Sequence, residues 1–261
     1  MKCQEVISIL EQQSPRHYAC DWDNVGLLVG NRDKEIKKIY IALDATDEAI
    51  EEAVAAGADL LLTHHPMIFK GMKRITAEDF IGRRVIRLIQ EDMAYYAMHT
   101  NFDVKGMADL AADYLHLTET RVLEVTCSSD TEVEGIGRYG SLTQEMGLEE
   151  LCSLVKEVFS LDNVKVFGDL KQRVSTAAIS PGSGKSVISN ALCAGVDVLI
   201  TGDIDHHEGI DAVAQGMAVI DAGHYGVEHI FIPYMKDYLN QKAPELEVCL
   251  LYTSPSPRDL S

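Results

Sequence analysis

Of nine histidines in 261 residues, seven crowd into four short clusters: His64 with His65, His99, His206 with His207, and His224 with His229. Imidazole is the commonest protein ligand for a metal ion, so clustering of this kind is a first sign of chemistry. Carboxylates accompany it. The stretches "HTNFD" and "HYGVE" each place a histidine, three residues and then an acid, pairing His99 with Asp103 and His224 with Glu228. On a helix that spacing puts both side chains on one face, a turn apart. Nitrogen and oxygen donors together suit zinc, iron(II) or manganese and do not favour copper(I) or an iron–sulfur cluster.

Adjacent His64 and His65 close the apolar run of "AGADLLLTHHPMIF". Neighbouring side chains of a strand point to opposite faces, so the pair can share a cleft only where the strand stops, and Pro66 supplies a stop. Leaving the strand in diverging directions, each histidine could hold its own ion of a pair. Two-metal sites keep their ions roughly 3.5 to 4 Å apart and activate a shared water. A strand end with solvent-exposed imidazoles would account for "HH" alone; beside two histidine–carboxylate pairs, the metal reading is the better one.

The elements that must position these residues alternate. "MKCQEVISILEQQSP" reads as an amphipathic helix, "DWDNVGLLVG" as a loop entering a strand, "KKIYIALD" as a buried strand, "TDEAIEEAVAAG" as a helix capped by Thr46, and "ADLLLTHH" as the next strand. "AGADLLLTHH" at 56–65 matches "AGVDVLITGD" at 194–203, and "MAYYAMHTNFD" at 93–103 resembles "MAVIDAGHYGVE" at 217–228. Two matched pairs in one order predict an α/β protein of two related lobes, with mostly parallel mixed sheets flanked by helices. Residues 1–125 with 229–248 are expected to form the first lobe and 126–228 the second. Ligands in such sheets gather beyond the carboxyl ends of strands, where every polar cluster falls, Asp203 with His206 and His207 included.

Other classes are disfavoured. With 41 acidic against 23 basic residues the net charge of −18 offers no basic stripe for nucleic acid, although bound cations could still hold a small phosphorylated substrate. No apolar run approaches the roughly 18 residues of a membrane span and the start is no signal peptide, so a cytoplasmic, membrane-free protein is expected. Six scattered cysteines lack any C-x-x-C pair, which argues for reduced thiols. "SPGSGKS" is not a P-loop, because Ile179 stands where that motif needs glycine, and it reads as a tight strand-to-helix turn. No serine or cysteine nucleophile motif is present.

Six motifs in order, "WDNVGLLVG", "THHPMIF", "HTNFD", "GIGRYGSL", "TGDIDHH" and "GHYGVE", resemble the NIF-three-like dinuclear metal-centre proteins, often named GTP cyclohydrolase I type 2 homologues. The resemblance runs from about Met1 to Val248. It implies a NIF-three-like fold assembled as a homohexamer, with two divalent ions (zinc, iron or manganese) per subunit on His64, His65, Asp103, His224 and Glu228. The implied activity is hydrolytic opening of the guanine imidazole ring of GTP with loss of formate. Metal-activated water would attack C8, and His99 or His207 would move protons unless they only orient ligands. The resemblance does not fix the roles of His99, Asp203, His206 and His207, which are expected to line the cleft. Alternatives are a metal-dependent phosphoesterase, or a non-catalytic metal-handling or assembly protein whose ions are cargo.

The end, "CLLYTSPSPRDLS", departs from these motifs and from the preceding composition. It matches an in-frame read-through of a transposon-based sequencing adaptor, so residues 249–261 are expected to be non-native, and "ELEV" to begin a final strand. A Ser/Pro-rich native tail is the alternative.

Overall fold

The computed structural model describes residues 1–129 and 131–251. They divide into two compact units: Met1–Phe102 with residues 231–251, and Asp103–Ile230. The first unit begins with α1 (Cys3–Gln13), β1 (Gly26–Val29), β2 (Lys38–Ala42), α2 (Asp47–Ala55), β3 (Leu60–Thr63), α3 (Phe80–Gln90), β4 (Ala94–Ala97) and the single turn α4 (Thr100–Phe102). The second holds a π-helical turn at Asp103–Met107, α5 (Ala108–Tyr114), β5 (Thr118–Ser128), β6 (Val133–Gly147), α6 (Leu148–Val158), β7 (Lys165–Phe167) and β8 (Arg173–Ser183). It continues with α7 (Ile188–Ala194), β9 (Val198–Gly202), α8 (His206–Ala214), β10 (Ala218–Asp221) and α9 (His224–Glu228). The chain then returns to the first unit through α10 (Phe231–Lys242) and β11 (Glu247–Leu250).

In the first unit the strand order is β1-β4-β3-β2-β11, parallel except where β1 meets β4. All four residues of β3 are buried, as expected of a central parallel strand covered on both faces. Helix α1 buries Cys3, Val6, Ile7 and Leu10, the one-sided stripe its sequence spacing foretold. Thr46 caps α2, its side-chain oxygen accepting from the Ala49 N–H at 3.0 Å. Cys249 and Leu250, set apart with the tail, continue β11 beside Tyr40 and Ile41, and Leu251 is buried; residues 252–261 lie outside the described residues.

The second sheet has the order β5-β6-β8-β9-β10-β7, and only β8–β9 and β9–β10 are parallel. It is therefore more antiparallel than the alternation suggested. Three pairings run antiparallel, β5–β6, β6–β8 and β7–β10, and the first of them adds an edge strand, "TETRVLEVTCS", that buries only Leu123 and so lacks an apolar rhythm. Because β5 pairs with β6 from Thr118↔Ser141 to Ser128↔Val133, a lobe boundary at 125 would cut a hairpin. The division falls after Phe102 instead. No helix among the described residues is long and apolar enough to cross a membrane.

The internal repeat has a physical counterpart. Leu60 pairs with Ala94 and Thr63 with Ala97, while Val198 pairs with Ala218 and Thr201 with Asp221, the same register in both units. The aligned aspartates do the same work at the strand starts. Asp59 accepts from the Lys37 and Lys38 N–H groups at 2.8 and 2.9 Å, and Asp197 from those of Ser175 and Thr176 at 2.7 and 2.9 Å. Gly57 and Gly195, two residues earlier, both take left-handed backbones at φ 68° and 70°.

Candidate metal centre

In the first unit the buried run of β3 ends at Thr63, and the turn that follows is fastened by hydroxyls. Thr63 donates to the His65 carbonyl oxygen at 2.8 Å, and the buried Tyr95 hydroxyl lies 2.9 Å from Thr63 and accepts from the Met67 N–H at 2.8 Å. Burial pushes the Tyr95 phenol up to about 12, so it stays a neutral donor and acceptor. His64 and His65 leave this turn with ring centroids 4.9 Å apart, and His99 approaches them at 5.4 and 5.6 Å. One ligand nitrogen from each of the three can be chosen so that all lie within 4.8 Å of one another.

Each of these rings is aimed by an oxygen on its Nδ1. For His64 it is the Met98 carbonyl at 2.7 Å, for His65 the Asp44 carboxylate at 2.9 Å, and for His99 the Asp23 carboxylate at 2.9 Å. These acceptors require a proton on Nδ1, which leaves the lone pair of a neutral imidazole on Nε2. Metal-binding histidines commonly carry this kind of orienting partner. Asp23 is fixed in turn: its second oxygen accepts from the Thr100 N–H at 3.0 Å and the Thr100 hydroxyl at 2.5 Å. Burial alone would raise this carboxyl, but the His99 and Thr100 hydrogen bonds hold it at about 2.

In the second unit α9 carries His224 and Glu228 one turn apart, with Nε2 and a carboxylate oxygen 3.1 Å from each other. Asp203 stands at a left-handed φ of 57° and takes the fourth orienting role, its carboxylate 2.8 Å from His224 Nδ1. Burial would lower the His224 pKa, yet Glu228 and Asp203 raise it to about 10, so without a metal the ring is an imidazolium between two carboxylates. Two glycines make room. A Cβ on Gly202 would sit 2.6 Å from the His224 backbone nitrogen, and one on Gly182, at φ 78°, would sit 2.5 Å from a Glu228 carboxylate oxygen. Asp103 opens the π-helical turn and is half-buried; isolated π turns recur at functional sites.

The structure thus brings His64, His65 and His99 together in the first unit and His224 and Glu228 together in the second. His206 and His207 stand exposed in the first turn of α8, edge to face with centroids 5.4 Å apart. "SPGSGKS" ends β8 and leads through a short 3-10 turn into α7, with Lys185 paired to Asp205, as the strand-to-helix reading expected. Asp23, Asp44 and Gly182 were missed. Asp44 could have been found as a carboxylate just beyond the end of the strand in "KKIYIALD"; Asp23 sits in a loop with no such signal.

A family model described as Duf34/NIF3 (NGG1p interacting factor 3) matches residues 1–257, extending into the segment from Cys249 that the sequence reading set apart. A "GTP cyclohydrolase 1 type 2 homolog" of Clostridium perfringens is 39% identical over 230 residues, covering 87% of each chain. One of the same name from Clostridium acetobutylicum is 36% identical, covering 87% of this chain and 85% of that one. Among solved structures, reduced HcgD from Methanocaldococcus jannaschii aligns with a TM-score of 0.84 at 32% identity, over 97% of this chain and 98% of that one. A Bacillus cereus protein related to NIF3 aligns with a TM-score of 0.88 at 23% identity over 98% of both, a likeness of fold.

Proposed function

Since the chain belongs to the Duf34/NIF3 family, we propose that it is a metal-dependent hydrolase of a purine nucleotide, opening the guanine ring of GTP with release of formate. The name shared by its curated relatives supports the nucleotide; the arrangement of the histidines supports the metal. The observation that carries the reading is the common orientation of His64, His65, His99 and His224, each with an oxygen on Nδ1. Solvent-facing histidines have no need of such partners, whereas ligands of a metal do.

The proposed ligand set is His64, His65, Asp103, His224 and Glu228, for two divalent ions. Its nitrogen and carboxylate donors fit zinc, iron(II) or manganese. Such ions supply Lewis acidity and an activated water near neutral pH. The remaining steps fall to the chain itself. Asp44, Asp203 and the Met98 carbonyl hold the ligand imidazoles in the tautomer that presents Nε2. His99, its Nδ1–H held by Asp23, offers Nε2 to take a proton from the water that adds to C8 and return it to the ring nitrogen that leaves, giving a ring-opened formamide; a second water, deprotonated in the same way, would cleave the formamide to formate and the free amine. It is favoured over His207, which is exposed on α8. A homohexameric assembly completes the proposal, and light scattering would check it.

The test is metal analysis of anaerobically purified protein, followed by formate assays on GTP with zinc, manganese and iron(II) supplied in turn. Formate release supports the reading. Phosphate without formate would make the protein a phosphoesterase, and transfer of ions to an apo acceptor without turnover would make it a metal-handling protein. Protein that retains no metal would overturn the site itself.

A further inference from the structure

Two exposed rings in the first unit have no part in the reading above. Trp22 and Phe69 are 59% and 46% exposed, with centroids 5.7 Å apart and planes tilted by 36°. His99 stands edge-on to both, 6.0 Å from Trp22 at 73° and 6.2 Å from Phe69 at 68°. Large aromatic rings left in water forgo the gain of burial. These two nonetheless sit on a backbone that is pinned down. Asp23, next to Trp22, spends both oxygens on His99 and Thr100, and the Cys20 N–H donates to the Thr100 hydroxyl at 2.9 Å. Asn24 ties the Trp22 loop to the Phe69 loop by donating from Nδ2 to the Ile68 carbonyl at 2.5 Å. Two open ring faces are therefore presented in a fixed arrangement, with His99 shared between them and the His64–His65 pair.

We infer that Trp22, Phe69 and His99 form a stacking subsite for the planar heteroaromatic ring of a nucleoside, its face on Trp22 and Phe69 and its edge toward His99. Stacking suits any base because every base has a π face, and an aromatic edge against a ring face is a favoured geometry. Charge favours the same occupant. On a chain of net charge −18 a neutral base binds without the repulsion that phosphates meet, so the base can anchor the substrate. The inference rests on the purine-nucleotide reading and adds the place where the purine lies.

Trp22 is the one tryptophan of the chain, so indole emission reports this subsite alone. Zinc-loaded and chelator-treated samples of the full chain are titrated with guanosine, ribose 5-phosphate and inorganic triphosphate. Guanosine is expected to quench Trp22 saturably and the other two to leave it unchanged. Phe69→Leu should weaken guanosine binding at least about fivefold, the lower end for losing one stacking ring, with zinc content unaltered. The inference is overturned if guanosine does not quench, if Phe69→Leu binds it as tightly, or if Trp22 in the free protein is shielded from acrylamide, as under a second copy. Loss of zinc counts separately against the metal reading, since the guanosine titration is also read on chelator-treated protein.

Discussion

Replacing Asp23 with asparagine keeps the side chain's shape and removes its charge. The side chain is fully enclosed, and its oxygens accept from His99 Nδ1–H and from the N–H and hydroxyl of Thr100. Burial works against the carboxylate, but these donors hold its pKa at about 2 against an ordinary 3.8. At 1.36 kcal/mol per pH unit the gap is worth about 2.4 kcal/mol. Because the folded pKa is the lower one, that contribution is complete above the unfolded value and disappears as pH falls through about 2; roughly half of it is gone by about pH 3. In the asparagine variant one oxygen can still serve Thr100, which turns the amide NH2 toward His99. The ring must then present a lone pair on Nδ1 and carry its proton on Nε2. Urea unfolding of chelator-treated protein should show a loss of about 2 to 3 kcal/mol at pH 7 that shrinks toward pH 3, and nitrogen-15 spectra should show the tautomer of His99 reversed. A difference that is the same at both pH values, with the His99 proton still on Nδ1, would refute the reasoning.

Asp44→Asn removes the carboxylate on His65 Nδ1 and should lower zinc affinity about 10- to 100-fold in a chelator competition. His224, raised to about 10 in the metal-free chain, stabilises the fold fully below its unfolded value near 6.5 and loses that contribution as pH rises through about 10. Zinc must displace this proton, so apparent affinity should climb by up to about tenfold per pH unit above neutrality. Calorimetry in two buffers counts the proton released, and Asp203→Asn should narrow the window from its alkaline side. Gly182→Ala and Gly57→Ala both place a Cβ at a left-handed φ, but only the first meets Glu228, the second facing open space. Each should cost about 1 to 2 kcal/mol of stability, while only Gly182→Ala loses zinc. Asp59→Ala and Asp197→Ala each strip two N–H groups on the neighbouring strand segment of their acceptor, and by urea unfolding should cost similar amounts, about 1 to 3 kcal/mol.

What was legible in the sequence is what depends on period and spacing. The buried runs "KKIYIALD" and "ADLLLTHH" became β2 and β3 because a doubly covered parallel strand is apolar at every position. His224 and Glu228 could be paired because a helix repeats every three to four residues. What was not legible depends on partners distant in the chain. Asp23 lies 76 positions before the His99 it orients, and nothing local marks one loop aspartate out from the acids around it. β5 was lost for a related reason: at a sheet edge its burial pattern is irregular, and its partner β6 supplies the order.

The repeat explains why the proposed ligands are distributed unevenly between the units. The pairs β3–β4 and β9–β10 share one register, and β3 and β9 are each preceded by the same aspartate brace, so this part of the scaffold is duplicated. At the strand ends the units differ, with His64–His65 in the first and Gly202–Asp203 in the second. A side chain at Gly202 would collide with the backbone of His224, so once α9 packs that closely a ligand cannot come from the strand end and must come from the helix itself. Asp203 is then freed to orient His224. In the first unit the strand end keeps its imidazoles, oriented by groups on neighbouring segments, and His64 is buried against the rings of Phe102 and Phe231. In the second unit a single backbone approach therefore bars a side chain from Gly202, and the ligands proposed there come from the helix beyond the next one.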